Sequence, residues 1–167
     1  MLKIEPFTPS DFDRLISWVD SEEFLVQFAG PIFQYPLTKD QLVKYIEQDS
    51  RIIFKVVDLV SSTTIGHAEI ALADSGNCRL CRILIGQKGL RGKGLGQELV
   101  KLLLNRAFNE LGAERAELNV YDWNHQAIKC YERVGFTLNP GEIRKLVVNG
   151  QTWTSLNMIL LKSNWKT

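Results

Sequence analysis

Apolar positions along this 167-residue chain switch between two periods, and the switches divide it into elements. Lys3 to Phe7 reads as a short strand. Thr8-Pro9-Ser10-Asp11 then carries the signals of a helix start: Thr8 as cap, proline at the first helical position, an acid in the first turn. Phe12, Leu15, Ile16 and Val19 follow at helical spacing. Residues 22–36 are unusually aromatic and end in Pro-bounded irregular chain. Within them Phe24, Phe28, Phe33 and Tyr35 either line a pocket or cover the core. Thr38-x-x-Gln41 is a capping box ahead of Leu42, Tyr45 and Ile46 on one helix face. The chain then turns to strands. Arg51–Val57, Thr64–Leu72 and Cys78–Ile85 are rich in β-branched and apolar residues, with turn signals at Ser61-Ser62 and Asp74-Ser75-Gly76-Asn77. Three such runs predict an antiparallel meander.

The stretch Ile83 to Leu104 predicts a strand end, a glycine-rich turn and a long helix. Val100, Leu103, Leu104, Ala107, Phe108 and Leu111 form the inward stripe of that helix, and Gly112 closes it. Arg115 to Tyr121 is the next strand, Asn124 caps a helix that Gly135 ends, and Ile143–Val148 with Thr152–Leu161 form a hairpin about Asn149-Gly150. In the turn, Gly92, Gly94 and Gly96 alternate with Lys93 and Leu95. Uncovered main-chain amides at a helix start make an anion site suited to phosphates, and Arg91 and Lys93 add charge. Two familiar phosphate loops are excluded. A dinucleotide fingerprint from Gly92 needs glycine where the chain has Gln97, and a Walker A loop needs Ser or Thr where it has Gly94.

Composition narrows the class. Hydrophobic residues are 45% and charged residues 23%, ordinary for a globular domain, and a single domain spanning 1–167 is expected. A formal net charge of +1 gives no reason to expect nucleic acid or an anionic membrane as partner. Apolar runs stay well short of the ~20 residues that cross a bilayer. The N-terminus has acids and a proline too early for a signal peptide, so cytoplasmic residence is expected. Three cysteines argue against a disulfide framework, and Cys78-x-x-Cys81 lacks the second pair of a zinc site. No metal is expected.

Two motifs make the reading specific. Arg91-x-x-Gly94-x-Gly96 resembles the coenzyme A pyrophosphate loop of the GNAT superfamily of acetyl-CoA-dependent N-acetyltransferases. Asn124-x-x-Ala127-Ile128-x-x-Tyr131-Glu132-x-x-Gly135-Phe136 resembles the same family's Asn-x-x-Ala-x-x-x-Tyr-x-x-x-Gly-Phe segment. The resemblance implies an α+β, layered α/β/α fold: a mixed, mostly antiparallel sheet of six to seven strands flanked by about four helices. It implies acetyl-CoA as cofactor, with the pantetheine arm against Leu84, Ile85 and Gly86. The amides of Arg91, Gly92, Lys93, Gly94, Leu95 and Gly96 would surround the pyrophosphate. Asn124 would bond the arm near the thioester, besides capping its helix, and Tyr131 would be the general acid unless it is a core tyrosine.

The base is where the chain departs from the family. Relatives that acetylate protein N-termini often have a glutamate where this chain has Asn119. Glu69 takes the assignment, with Glu117, His67 and His125 behind it and a water chain as another route; a polar face to solvent would explain Glu69 and His67 equally well. The expected partner is a primary amine acceptor, either a small molecule or a protein N-terminus or lysine. No acidic or basic cluster in residues 22–36 or the hairpin marks a polyamine or an anionic acceptor. The hairpin edge and Trp153 and Trp165 suggest a homodimer. A non-catalytic acyl-CoA sensor or interaction module is the alternative.

Overall fold

The computed structural model describes residues 1–73 and 76–166, so Asp74 and Ser75 of the expected turn lie outside the described residues. Seven strands form one sheet: β1 (Leu2–Pro6), β2 (Arg51–Asp58), β3 (Thr63–Leu72), β4 (Asn77–Ile85), β5 (Arg115–Tyr121), β6 (Thr137–Val148) and β7 (Gln151–Leu161). Their order is β1-β2-β3-β4-β5-β7-β6, antiparallel throughout except where β4 meets β5. Short turns join the expected meander β2-β3-β4, whereas the parallel β4–β5 pair needs a crossover helix. Asn149 and Gly150 both have positive φ (47° and 76°), as the predicted type I′ turn between β6 and β7 requires.

Five helices flank the sheet: α1 (Phe12–Trp18), α2 (Glu22–Ala29), α3 (Lys39–Ile46), α4 (Leu95–Asn105) and α5 (His125–Val134). One more forms than the sequence led us to expect. The added helix is residues 22–29, where none was placed from the sequence: the Ser21 hydroxyl accepts from the Phe24 amide at 3.2 Å, and Glu22 and Glu23 occupy the positive first turn. Pro31 does not interrupt this helix; it follows Gly30, whose φ of 66° ends it. Strand β6 likewise starts at Thr137 rather than Ile143. Its register with β7 jumps from Asn139–Asn157 to Arg144–Ser155, so Pro140–Ile143 swell out opposite Leu156.

The central strands of the sheet are buried on both faces, while β6 at its edge is largely exposed. On one, Leu99, Val100, Leu103 and Leu104 of α4 cover Val56, Ile70, Leu80 and Leu118. On the other, α1, α2 and α3 cover Phe7 and Leu84 with Leu15, Leu25, Leu42 and Tyr45. Each fully buried leucine contributes about 1.5–3 kcal/mol by leaving water. Because α1–α3 lie over it, the face that carries His67 and Glu69 is buried, not solvated as alternation alone allowed; both residues are at most 1% exposed. Trp165 packs on Phe108 at 5.5 Å between ring centroids, so within one chain it already has a partner.

Candidate active site

Strands β4 and β5 pair only at Asn77–Arg115, Cys78–Ala116 and Arg79–Glu117, and beyond that they part. The cause is local. His67 faces Leu84 and Glu69 faces Cys81, so Arg82 and Ile83 together oppose Ala68 in a β-bulge. The bulge holds Arg82 at φ 50°, a left-handed conformation that costs a non-glycine residue about 1–3 kcal/mol. One extra residue also reverses the faces of the strand. Leu80 packs with α4 on one side, whereas Leu84, in the same alternation phase, packs with α1–α3 on the other.

A cavity of about 530 Å³ fills the gap, lined by Phe24 and Phe28 of α2, Leu84, Asn119, Asn124 and Tyr131 among others. Of the expected site residues it therefore gathers Leu84, Asn124 and Tyr131; the residues from Ile85 through Gly96 and Glu69 lie outside its lining. Of the four aromatics in 22–36, Phe24 and Phe28 face the cavity, Phe33 packs in the core on Tyr45, and Tyr35 is exposed.

The glycine turn abuts α5. Gly92 and Gly94 have φ of 78° and 83°, which the absence of Cβ permits, and Gly94 caps α4. A glycine cap offers no side-chain oxygen, so the Leu95 and Gly96 amides gain no cap acceptor, whereas the Gln97 amide donates to the Gly94 carbonyl at 3.0 Å. A Cβ on Gly94 would meet nothing within 4 Å, and one on Gly92 would find only Gln126 Nε2 at 3.8 Å. That open, amide-lined space before an eleven-residue helix fits a phosphate group. A Cβ on Gly96 would lie 3.5 Å from Cys130 Sγ, so the turn rests on the same helix that carries Tyr131 into the cavity. Lys93 is exposed, whereas Arg91 turns away from the glycines: its Nε donates to the Ile85 carbonyl at 2.8 Å and its guanidinium lies over the Phe24 ring.

At the end of β4 only part of the expected main chain is open. The Gly86 amide already donates to the Ile65 carbonyl at 2.8 Å, and the Leu84 carbonyl is turned to Gly66, 2.4 Å from where a Cβ would stand. Ile85, between them, turns its main-chain groups toward the gap. Gly86 has a different duty: a Cβ there would fall 2.0 Å from Cδ2 of Trp18. An indole ring has no flexible end to give way, so Gly86→Ala is expected to destabilise the fold by about 1–3 kcal/mol, read as a lower denaturant midpoint at unchanged slope.

Tyr131 is partly buried and packs edge-on against Phe136. Burial, helped by Cys130, pushes its phenol pKa well above the ordinary value, so the hydroxyl keeps its proton. The Asn124 side chain accepts from the Ala127 amide at 3.3 Å as the cap of α5, which leaves its amide NH₂ free to donate.

None of the four residues considered as a base, Glu69, Glu117, His67 and His125, lines the cavity. Glu69 is fully buried and accepts from Tyr45 Oη at 2.6 Å, from Arg82 Nη1 at 2.5 Å and from Arg51 Nη1. Both its oxygens are thus taken. Burial, and then the Glu69 charge, push the Tyr45 phenol well above its ordinary pKa. Glu117 is paired with Arg79 and Arg115. His67 sits among Phe7, Phe28 and Tyr45, and burial lowers its pKa to about 3, so it stays neutral. His125, the first residue of α5, is exposed. Among the described residues, no carboxylate or imidazole lines the cavity.

A model of the family described as acetyltransferase (GNAT) domain matches residues 1–137. The chain belongs to the GNAT acetyltransferase family. Its fold agrees with solved GNAT structures. The spermidine N-acetyltransferase of Vibrio cholerae, solved with CoA and spermine, superposes with a TM-score of 0.81 over 98% of this chain and 96% of its own, at 21% identity. A GCN5-related N-acetyltransferase of Brucella melitensis gives a TM-score of 0.74 over 98% of this chain and 77% of its own, at 22% identity. Among curated relatives, an N-acetyltransferase 9-like protein of Nematostella vectensis is 22% identical over 155 residues, 85% of this chain and 78% of that protein. An uncharacterized N-acetyltransferase of Bacillus subtilis is 40% identical over 58 residues, 35% of this chain and 36% of the relative. With a prophage-derived N-acetyltransferase of the same organism, matched over 32% of its length, the chain spans about a third of two of these relatives.

The GNAT motifs left one group of residues unread. Arg51, Arg82 and Tyr45 come from three elements and meet only around Glu69. One signal was available: Arg82 keeps the alternation phase of buried Cys78, Leu80 and Leu84, an odd place for an arginine without a buried carboxylate. No described helix is long and apolar enough to cross a membrane.

Proposed function

We propose that this GNAT chain transfers the acetyl group of acetyl-CoA to a primary amine by direct attack within a ternary complex. The observation that carries the reading is the parting of β4 and β5 after Arg79–Glu117, with the glycine turn at its end and Tyr131 facing the gap. Acetyl-CoA supplies the thioester: the amine nitrogen bonds to the carbonyl carbon, the C–S bond breaks, and the thiolate takes a proton. The amides of Gly92 to Gly96 hold the pyrophosphate, with Lys93 beside them. Main-chain groups of Ile85 pair with the pantetheine arm as an added strand would, once Arg91 releases the Ile85 carbonyl, and the Ile85 amide polarises the thioester carbonyl. Asn124 donates to the arm. Tyr131 Oη gives its hydrogen bond, and then its proton, to the departing sulfur.

Glu69 is a structural anchor in this reading, and the amine loses its proton to solvent. The acid–base behaviour then belongs to the acceptor. The test is acetyl-CoA consumption across primary amines of different basicity, followed from pH 6 to 10. We expect kcat/KM to rise with pH and level off at each acceptor's own pKa, moving as the acceptor is changed. A raised Tyr131 pKa means the proton is held throughout, so this group brings no descending limb below the ordinary phenol value of about 10. A midpoint fixed near 7 for every acceptor would assign the proton to a protein base instead. Acetyl-CoA binding with no turnover of any amine would favour a non-catalytic acyl-CoA module. The same reading places the protein in the cytoplasm, where its three unpaired thiols remain reduced. The uncovered edge of β6 is the surface on which two copies would pair.

A further inference from the structure

We propose that the acceptor carries an anionic group, a carboxylate or a phosphate, on the same molecule as its amine. The inference rests on the acetyl transfer proposed above and concerns which amine the cavity admits. Arg51 from β2, Arg79 and Arg82 from β4, and Arg144 and Lys145 from β6 all line the gap between β4 and β5, while no Asp or Glu does so among the described residues. These side chains are scattered over residues 51 to 145, which is why no basic cluster shows in the sequence.

The carboxylates behind them do not balance the charge. Arg51 and Arg82 share the single carboxylate of Glu69, and Arg79 shares Glu117 with Arg115. Arg144 has only Glu142, at 3.9 Å with both side chains more than half exposed, and Lys145 makes no ion pair among the described residues. Two donors that bring no added charge stand among these cations. The Arg82 Nε is buried and without a partner in a residue only 7% exposed. Asn119 presents a third type of group. The Leu118 carbonyl, which only accepts, fixes the Asn157 amide with its nitrogen toward Leu118 and toward Asn119 Oδ1. That leaves the Asn119 NH₂ as a donor at the cavity.

This cluster is separate from the turn that suits pyrophosphate, since none of Arg91 to Gly96 lines the cavity. It lies with α2 and the β6–β7 hairpin, which meet where Asn149 Nδ2 donates to Glu23 at 2.5 Å. Arg144 and Lys145 lie on β6, beyond residue 137 where the family match ends. In a partly enclosed, low-dielectric cleft, surplus cations repel a polyamine at each added ammonium and attract an anion. An acceptor with both groups meets the cations with its carboxylate or phosphate while its amine faces the thioester.

The experiment compares kcat/KM for ω-amino acids of increasing chain length, their carboxamides, the matching aminoalkyl phosphates, and putrescine and spermidine. Wild type and Lys145→Glu are assayed with acetyl-CoA at two salt concentrations. Lys145 is exposed on an edge strand, so the variant keeps its fold. We expect an anionic amine to exceed its carboxamide by about tenfold or more, and that ratio to fall toward one in the variant and at high salt. The phosphate arm tells which anion is meant. A preference for putrescine, spermidine or the carboxamides, or a ratio unmoved by Lys145→Glu, overturns this inference and leaves acetyl transfer standing. Bound acetyl-CoA with no amine of any charge consumed overturns both.

Discussion

Replacing Tyr131 by phenylalanine is expected to lower kcat by about 10²–10⁴-fold while acetyl-CoA affinity changes little. The substitution removes one oxygen from a ring held edge-on to Phe136, so the packing of α5 is kept and only the proton is lost. The phenol is well suited to hold it. Burial raises its pKa, so at neutral pH it is fully protonated, and among the described residues no carboxylic acid or imidazole lines the cavity beside it. A departing thiolate without that proton is a poorer leaving group, and the loss falls on kcat rather than on binding. Steady-state kinetics beside calorimetric titration of acetyl-CoA separates the two. An unchanged kcat would return Tyr131 to a packing role at helical spacing.

Replacing Glu69 by glutamine is expected to cost about 3–5 kcal/mol of folding stability. The carboxylate is 0% exposed and is the shared partner of Arg51, Arg82 and Tyr45. A neutral amide would leave two guanidinium groups, one of them 5% exposed, without their counter-charge. The amide also brings a donor face-to-face with donors. Denaturant unfolding of wild type and variant measures the loss. A catalytic base in the same place predicts the opposite pattern: normal stability with lost turnover. That pattern would restore the base role considered from the sequence.

The strand and helix order of the chain was legible because local chemistry and burial agree there. Thr38, Asn124, Gly135 and the Asn149-Gly150 turn do in the structure what their residue types predict. Helix α2 was missed because its aromatic residues and the nearby prolines mask a short helix whose plainest signal is Ser21 with two acids after it. The capping box at Thr38 was half right. Its Gln41 side chain reaches back to the Gln34 and Pro36 carbonyls, contacts set by how the preceding loop folds.

The candidate site divides in the same way. Its glycine turn and the Asn124–Tyr131 helix are sequence-local, so both elements were legible in the residue order, while their roles in a site were implied by the family resemblance. The gap between β4 and β5 depends on a bulge at Arg82, whose extra residue is visible only in the register with β3. Gly86 reads as a backbone contact in the sequence but packs on Trp18 of α1, a contact between segments far apart in the chain. The cationic lining has no local signature at all, since it joins β2, β4 and β6.

Acetyl transfer by this chain requires acetyl-CoA to bind with its pyrophosphate in the glycine turn. Calorimetric titration of acetyl-CoA into wild type and into Gly94→Val tests it most directly. A Cβ at Gly94 meets nothing in the protein, so the variant's internal cost is confined to φ of 83°, about 1–2 kcal/mol, and a melting curve confirms that it folds. Its isopropyl group stands where phosphate oxygens would approach the amides. Saturable binding to wild type that is lost in the folded variant is the result predicted here. No binding to wild type, or equal binding to both, would contradict the account and leave the turn a packing element.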